Sequence, residues 1–191
     1  MTAQIILASS SPRRCELLDQ IKVSYLVKPV DVDETPLQGE QPYAYVQRLA
    51  AEKSMACANQ WRLELPILAA DTAVVLEGQI MGKPRDQEDA KKMLSTLSGK
   101  THQVFTAVSL RGLEHGQLVN VTEVSFRVID LGEITAYWQT GEPADKAGSY
   151  AIQGLGSVFV KAIKGSFSGV MGLPLYETAE LLSTQGIRLF K

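Results

Sequence analysis

Cysteine, histidine and aromatic residues are scarce in this chain of 191 residues, which has two Cys, two His and 7% Phe, Trp and Tyr together. Cys15 and Cys57 lie far apart, without a second pair or a histidine at zinc-ligand spacing, which excludes a disulfide framework and a structural zinc site. No apolar run reaches the length needed to span a bilayer. The N-terminus has neither the basic stretch nor the long apolar stretch of a secretory signal, so the expected compartment is the cytoplasm, with no membrane partner. Neither sign of charge dominates: 19 Lys and Arg stand against 21 Asp and Glu, a net charge of −2. Nucleic acid is therefore not an expected partner, since it would require a basic face and stacking aromatics. An anionic ligand would have to be held by a local basic cluster. There is no internal repeat and no low-complexity tract, and Gly and Pro are spread along the chain, so one domain is expected over residues 1–191.

A hydrophobic fraction of 45% with 21% charged residues suits a soluble domain with a sizeable core. The pattern reads as mixed α/β. Gln4 to Ala8 forms a short strand, Pro12 to Gln20 a helix, and Pro42 to Asn59 a longer helix with the stripe Val46, Leu49, Ala50 and Lys53. Glu77-Gly78 turns the chain into Gln79 to Met81 as a hairpin. Asp86 caps a helix ending near Gly99, with Glu88 and Asp89 placed well for the macrodipole. His102 to Leu110 and Leu118 to Val128 pair as antiparallel strands around the polar stretch Arg111 to Gln117. Asp130 to Gln139 and Leu173 to Gln185 are helices, and Ser157 to Ile163 is a strand. Antiparallel pairs beside helical crossovers imply a mixed sheet.

Asp71 and Thr72 interrupt an otherwise fully apolar strand, Ile67 to Leu76. An ionised carboxylate there is costly unless a cation, a metal or a hydrogen-bond donor compensates it. The ordinary alternative ends the strand at Ala70 and leaves Asp71 and Thr72 in a solvated turn. Upstream, Ser9-Ser10-Ser11-Pro12-Arg13-Arg14 runs from strand through loop into helix, with Ser11 as N-cap and Pro12 at the first helical position. Two cations in a first turn oppose the helix dipole by ~0.3 to 1 kcal/mol each. A bound anion would reverse that sign, and free amides, hydroxyls and guanidinium forks together make a phosphate site. The alternative is a pair of solvated arginines.

Three further signals are individually weak. Lys53 lies on the apolar stripe of its helix, where snorkelling at a core edge also accounts for it. Lys83 follows the hairpin in Gly82-Lys83-Pro84, and Asp31, Asp33 and Glu34 form an acidic knot; both positions suit ordinary surface charge. Taken together, these side chains supply cations for phosphates and carboxylates for a hard divalent cation, the requirements of metal-assisted phosphoanhydride chemistry. No GxxxxGK[ST] or GxGxxG sequence occurs. A Ser-His or Cys-His nucleophile would have to use His102, because His115 falls in the Gly-flanked polar loop, and His102 reads as a hydrogen-bonded strand residue.

Eight ordered motifs resemble the Maf family of nucleoside triphosphate pyrophosphatases across nearly the whole chain. They are Leu7-Ala8-Ser9-Ser10-Ser11-Pro12-Arg13-Arg14, Val32-Asp33-Glu34, Ala51-Glu52-Lys53, Ala70-Asp71-Thr72, Gly82-Lys83-Pro84, Leu97-Ser98-Gly99-Lys100-Thr101-His102, the segment from Asp145 to Gly154, and Gly172-Leu173-Pro174. The resemblance implies an elongated mixed β-sheet flanked by helices, with two lobes around a central cleft, similar to inosine triphosphate pyrophosphatases. It implies cleavage between the α and β phosphates with a divalent cation; oxygen ligands favour Mg²⁺ or Mn²⁺.

The family's proton acceptor falls on Asp71, and its phosphate and metal contacts on Ser9, Arg13, Arg14, Glu34, Lys53 and Lys83, with Glu34 and Asp71 as the metal ligands. Arg13, Thr72 and Gln153 resemble the specificity set of the dTTP/UTP subgroup rather than that acting on 7-methyl-GTP. One amide at Gln153 offers a donor and an acceptor for the imide edge of uracil or thymine. Ala70 stands where Gly is common, and Phe167 where Tyr is common. The expected partner is a small nucleoside triphosphate; homodimerisation is left open. The alternative function is a nucleotide-binding regulator of cell division or septum formation, which would have no use for a carboxylate aimed at water.

Overall fold

The computed structural model of the chain describes residues 2–61 and 64–190. Among these residues, seven strands form one sheet: β1 (Ile5–Leu7), β2 (Tyr25–Val27), β3 (Ile67–Leu76), β4 (Gln79–Met81), β5 (Thr101–Arg111), β6 (His115–Phe126) and β7 (Val160–Lys164). Their order is β2-β1-β3-β5-β6-β7, with β4 also paired to β3. β1 runs parallel to β2 and β3, whereas the other pairings are antiparallel, so the sheet is mixed. The flanking helices are α1 (Pro12–Gln20), α2 (Pro42–Gln60), α3 (Gln87–Leu97), α4 (Leu131–Gln139), α5 (Phe167–Met171) and α6 (Leu175–Thr184).

The pleat of β3 decides how the cores divide. Its odd residues Ile67, Ala69, Ala73 and Val75 face α2, whose Tyr45, Val46, Leu49 and Ala50 cover that side. Its even residues face the opposite side, where two cores meet the sheet. Leu68 and Ala70 pack with α1 and α6, and Val74 and Leu76 pack with α3, α4 and Phe159. Thr72 stands between them, opposite Thr106 on β5, and the two hydroxyls are 3.0 Å apart. Thr106 also donates to the Gly169 carbonyl of α5 at 2.8 Å. A polar seam thus separates two apolar cores over a single sheet, and these are the two lobes.

β3 is paired with β5 from Ile67 to Val75, which uses one of its edges throughout. The other edge is shared. β1 pairs it only at Ile67 and Leu68, and β4 only from Val74 to Leu76. Among the described residues, Ala69 to Ala73 therefore have no strand neighbour on that side, and a cleft opens there.

Several expectations meet the structure closely. α1 has the expected ends, and the stripe of α2 is buried throughout, including Lys53. The β3–β4 hairpin turns on Glu77 and Gly78, both at positive φ (52° and 80°), as a two-residue primed turn requires. Asp86 accepts the Asp89 amide at 2.8 Å as the cap of α3.

Other expectations are corrected. The alternative that would end β3 at Ala70 is overturned, because Asp71 and Thr72 remain paired to Ala107 and Thr106. The stretch Arg111 to Gln117 is mostly strand: β6 begins at His115, so His115 is not a loop residue. Ser11 occupies the N-cap position of α1, but its side chain makes no capping bond; its amide donates to Ser9 Oγ instead, at 3.2 Å. The last strand begins at Val160, after a 3-10 turn over Leu155–Phe159. The short strand β2 and the helix α5 carry too little periodicity over three and five residues to be read from sequence.

Candidate active site

The cleft at the unpaired edge of β3 has a volume of about 360 Å³ and is lined by Ser9, Arg13, Arg14, Glu34, Lys53, Asp71, Thr72, Lys83 and Gln153. These are all nine residues that the sequence singled out. They arrive from the β1–α1 loop, the first turn of α1, the loop before α2, α2 itself, β3, the loop after β4, and the segment after α4.

Lys53 joins the two carboxylates. Its Nζ lies 2.6 Å from Asp71 Oδ1 and 2.6 Å from Glu34 Oε1. Both Lys53 and Asp71 are buried (9% and 5% exposed), so the lysine is an ion-pair partner rather than a snorkelling edge residue. The two acids are driven in opposite directions. Burial pushes the Asp71 carboxyl above the ordinary aspartate value, and Lys53 and Arg14 only partly offset it. At Glu34, burial also acts upward, but the hydrogen bond and charge of Lys53, with Lys83 and Arg14, outweigh it and hold the carboxyl down. One acid is made more basic while its neighbour stays ionised, the separation of roles expected of an acid-base site. The Tyr45 hydroxyl fixes the backbone of Glu34 by donating to its carbonyl at 2.9 Å. Of the acidic knot only Glu34 faces the cleft; Asp33 accepts the Thr35 amide at 2.9 Å and shapes the loop.

Arg14 is not a solvated arginine. Its Nε donates to the Gly172 carbonyl and its Nη1 to Ser9 Oγ, each at 2.9 Å. Burial lowers its affinity for a proton, against the pull of Asp71. Arg13 Nη1 reaches across the cleft mouth to Asp145 Oδ2 at 3.6 Å, and Asp145 also pairs with Lys146. Lys83 is exposed on the rim.

The wall beyond Thr72 is apolar, made by Val74, Val104, Tyr150, Ile152, Val170 and Met171 of one core. The cleft therefore has both charged and apolar walls, with Gln153 also on its lining.

Among the described residues, no three Asp, Glu, His or Cys side chains come together as a metal cage. The remaining oxygens, Asp71 Oδ2 and Glu34 Oε2, take no hydrogen bond among those residues, and neither is sealed from solvent. Two such carboxylates suit a Mg²⁺-like cation that completes its shell with phosphate oxygens and water.

Lys146, Tyr150 and Asp145 also line the cleft. Sequence reasoning assigned them no role, although all three fall inside the motif from Asp145 to Gly154; a motif does not say which of its side chains turn inward. His102 behaves as expected, buried with Nε2 2.8 Å from Tyr150 Oη and its pKa pushed down to about 4 by burial. His115, excluded from nucleophile pairs as a loop residue, in fact sits 2.9 Å from Ser109 Oγ. That hydroxyl is fully buried and lies outside the cleft, bonded also to Ser54 at 2.9 Å, so the pair has no access to a substrate. Ala70 packs fully buried in the α1–α6 core, and Phe167 is half-exposed.

Known proteins resemble this chain over nearly its whole length. A dTTP/UTP pyrophosphatase of Methylococcus capsulatus is 54% identical over 185 residues, covering 96% of this chain and 92% of its own. Those of Pseudoalteromonas atlantica and Pasteurella multocida are 51% and 47% identical, and cover 96% and 98% of this chain and 97% and 98% of their own. Among solved structures, the Ham1 protein of Staphylococcus aureus is similar at 21% identity with a TM-score of 0.46, over 64% of this chain and 71% of that one. The sequence pattern described as Maf-like protein matches residues 4–185, and the chain belongs to the Maf family.

Proposed function

We propose that this chain is a nucleoside triphosphate pyrophosphatase that hydrolyses dTTP and UTP to the nucleoside monophosphate and pyrophosphate. The observation that carries the reading is the polarity of the cleft, in which a cluster of cations around two coupled carboxylates adjoins an apolar wall with a glutamine amide that takes no hydrogen bond among the described residues. A triphosphate and a base have the same two characters. The names and high identity of the relatives support the choice of substrate.

In this reading the triphosphate lies against Ser9, Arg13, Arg14, Lys53 and Lys83, whose charges offset those of the phosphates and the departing pyrophosphate. Asp71, made more basic by burial, orients water and accepts its proton as the oxygen attacks the α phosphorus. Lys53 holds the Asp71 carboxylate in place from α2. Glu34 and Asp71 are the residues that would hold a divalent cation; Mg²⁺ or Mn²⁺ bound there would neutralise phosphate charge. The base rests on the apolar wall beyond Thr72, and Gln153 pairs with the imide edge of thymine or uracil.

Purified protein assayed against a panel of nucleoside triphosphates, with pyrophosphate and orthophosphate measured separately, tests the reading. Pyrophosphate release from dTTP and UTP well above the purine nucleotides is expected. Orthophosphate release, or binding without turnover, would overturn it, the latter in favour of a nucleotide-binding regulator.

A further inference from the structure

The segment that carries Gln153 is fastened on both sides by one pair of side chains. Tyr137 of α4 is buried; its hydroxyl donates to Glu142 Oε1 at 2.6 Å and accepts the Ala151 amide at 3.0 Å. Glu142 accepts the Leu155 amide on Oε2 and the Gly156 amide on Oε1, each at 3.0 Å. Ala151 and Leu155 flank Gln153 symmetrically in the chain. Between them the Gln153 side chain is exposed to the cleft and makes no hydrogen bond among the described residues, so its direction is set by its backbone.

Two glycines let the chain close around this pair. A Cβ at position 154 would fall 2.2 Å from Glu142 Oε2, and one at position 156 would fall 2.6 Å from Tyr137 Oη and 2.8 Å from the Ala151 carbonyl oxygen. The turn is closed locally by the Gly154 amide donating to the Ala151 carbonyl at 3.3 Å, and the Tyr137–Glu142 pair adds to that closure by tying both flanks of the turn to α4 and the segment after it. Burial acts upward on the Glu142 carboxyl, but the Tyr137 hydroxyl and the two amides outweigh it, so the carboxylate stays ionised as their acceptor.

We propose that Glu142, braced by Tyr137, is a positioning residue that presents Gln153 to the nucleobase and so sets the preference for pyrimidines. The proposal rests on the base-recognition role given to Gln153 above. It is tested by kcat/KM for dTTP and for ATP, followed by pyrophosphate release, in the wild type, Glu142→Gln, Tyr137→Phe, Gln153→Leu and the double variants with Gln153→Leu. Tyr137→Phe keeps the ring against Phe159, 5.1 Å away, and remains informative if Glu142→Gln fails to fold.

Each positioning variant should cut the dTTP-over-ATP ratio by about tenfold, through KM more than kcat, and should cut it no further once Gln153 is leucine. If Gln153→Leu shifts the ratio while Glu142→Gln and Tyr137→Phe leave it unchanged, or lower both substrates in parallel, the positioning role is wrong and the role of Gln153 stands. A shift that persists in the Gln153→Leu background also refutes the positioning role, because it does not act through Gln153. An unchanged ratio in Gln153→Leu alone removes both.

Discussion

Asp71 Oδ1 and Lys53 Nζ lie 2.6 Å apart with little solvent between them and the protein interior. The ammonium sits on the only helix that covers the odd face of β3 at this point, among the described residues, and the carboxylate on the strand edge that no neighbour pairs. The first prediction follows from the burial of the acid. Asp71→Asn should fold and bind nucleotide, yet turn over at least ~10²-fold more slowly, the scale of losing a positioned base. Near-normal turnover would remove Asp71 from the reaction. Because the folded pKa of Asp71 is raised, its ionised form costs stability at neutral pH, and that cost fades as pH falls through the folded value toward the unfolded one. The variant should therefore melt higher than the wild type at neutral pH, with the gap closing on acidification.

The same pair fixes a pH dependence for activity. The acid limb of kcat/KM should fall above the ordinary aspartate range, since Asp71 must be ionised to accept a proton. Lys53 holds the Asp71 pKa down against burial, so Lys53→Met should move that limb to higher pH while lowering the maximum. A limb that stays in place would mean that another group titrates there.

Glu34 is half-exposed and stays ionised. Replacing it with Gln should raise the concentration of Mg²⁺ needed for half-maximal activity by about tenfold or more, with excess cation restoring part of the rate. An unchanged titration would leave Glu34 as a partner of Lys53 alone.

Arg14→Ala sets two effects against each other. Removing a cation from a helix N-terminus relieves ~0.3 to 1 kcal/mol of unfavourable dipole interaction. It also strips the Gly172 carbonyl and Ser9 Oγ of their donor, at a cost of ~1 to 3 kcal/mol where those acceptors are buried. The second effect is larger, so chemical denaturation should find the variant less stable, the reverse of what a solvated arginine would give. Nucleotide affinity should fall as well; equal affinity would detach Arg14 from the phosphates.

What could be read from sequence was whatever is decided within a few residues. Pro12 at the start of α1, Asp86 before α3, the Glu77-Gly78 turn and the apolar stripe of α2 act through local geometry, and each stands where it was expected. Asp71 could be recognised as anomalous but not explained, because the residue that explains it, Lys53, meets it only after α2 has packed on the sheet. Arg14 reads as solvent-facing until a carbonyl 158 positions away is brought beside it. The resemblance named the motif around Gln153, whereas the Tyr137–Glu142 brace that shapes it depends on a helix turning back against its own following loop.

The polar seam through Thr72 and Thr106 divides the side chains above the sheet without dividing the sheet. Leu68 and Ala70 serve one core and Val74 and Leu76 the other on the same strand, and Val108 and Val104 repeat the division on β5. The two longest ladders, β3–β5 and β5–β6, run under both cores, so the chain should unfold as one cooperative unit with no half-folded species. Nor does the cleft have a hinge beneath it. Its floor is continuous strand, so admission of a ligand should fall to rim side chains such as Lys83 and the Arg13–Asp145 pair rather than to bending of the backbone that holds Asp71.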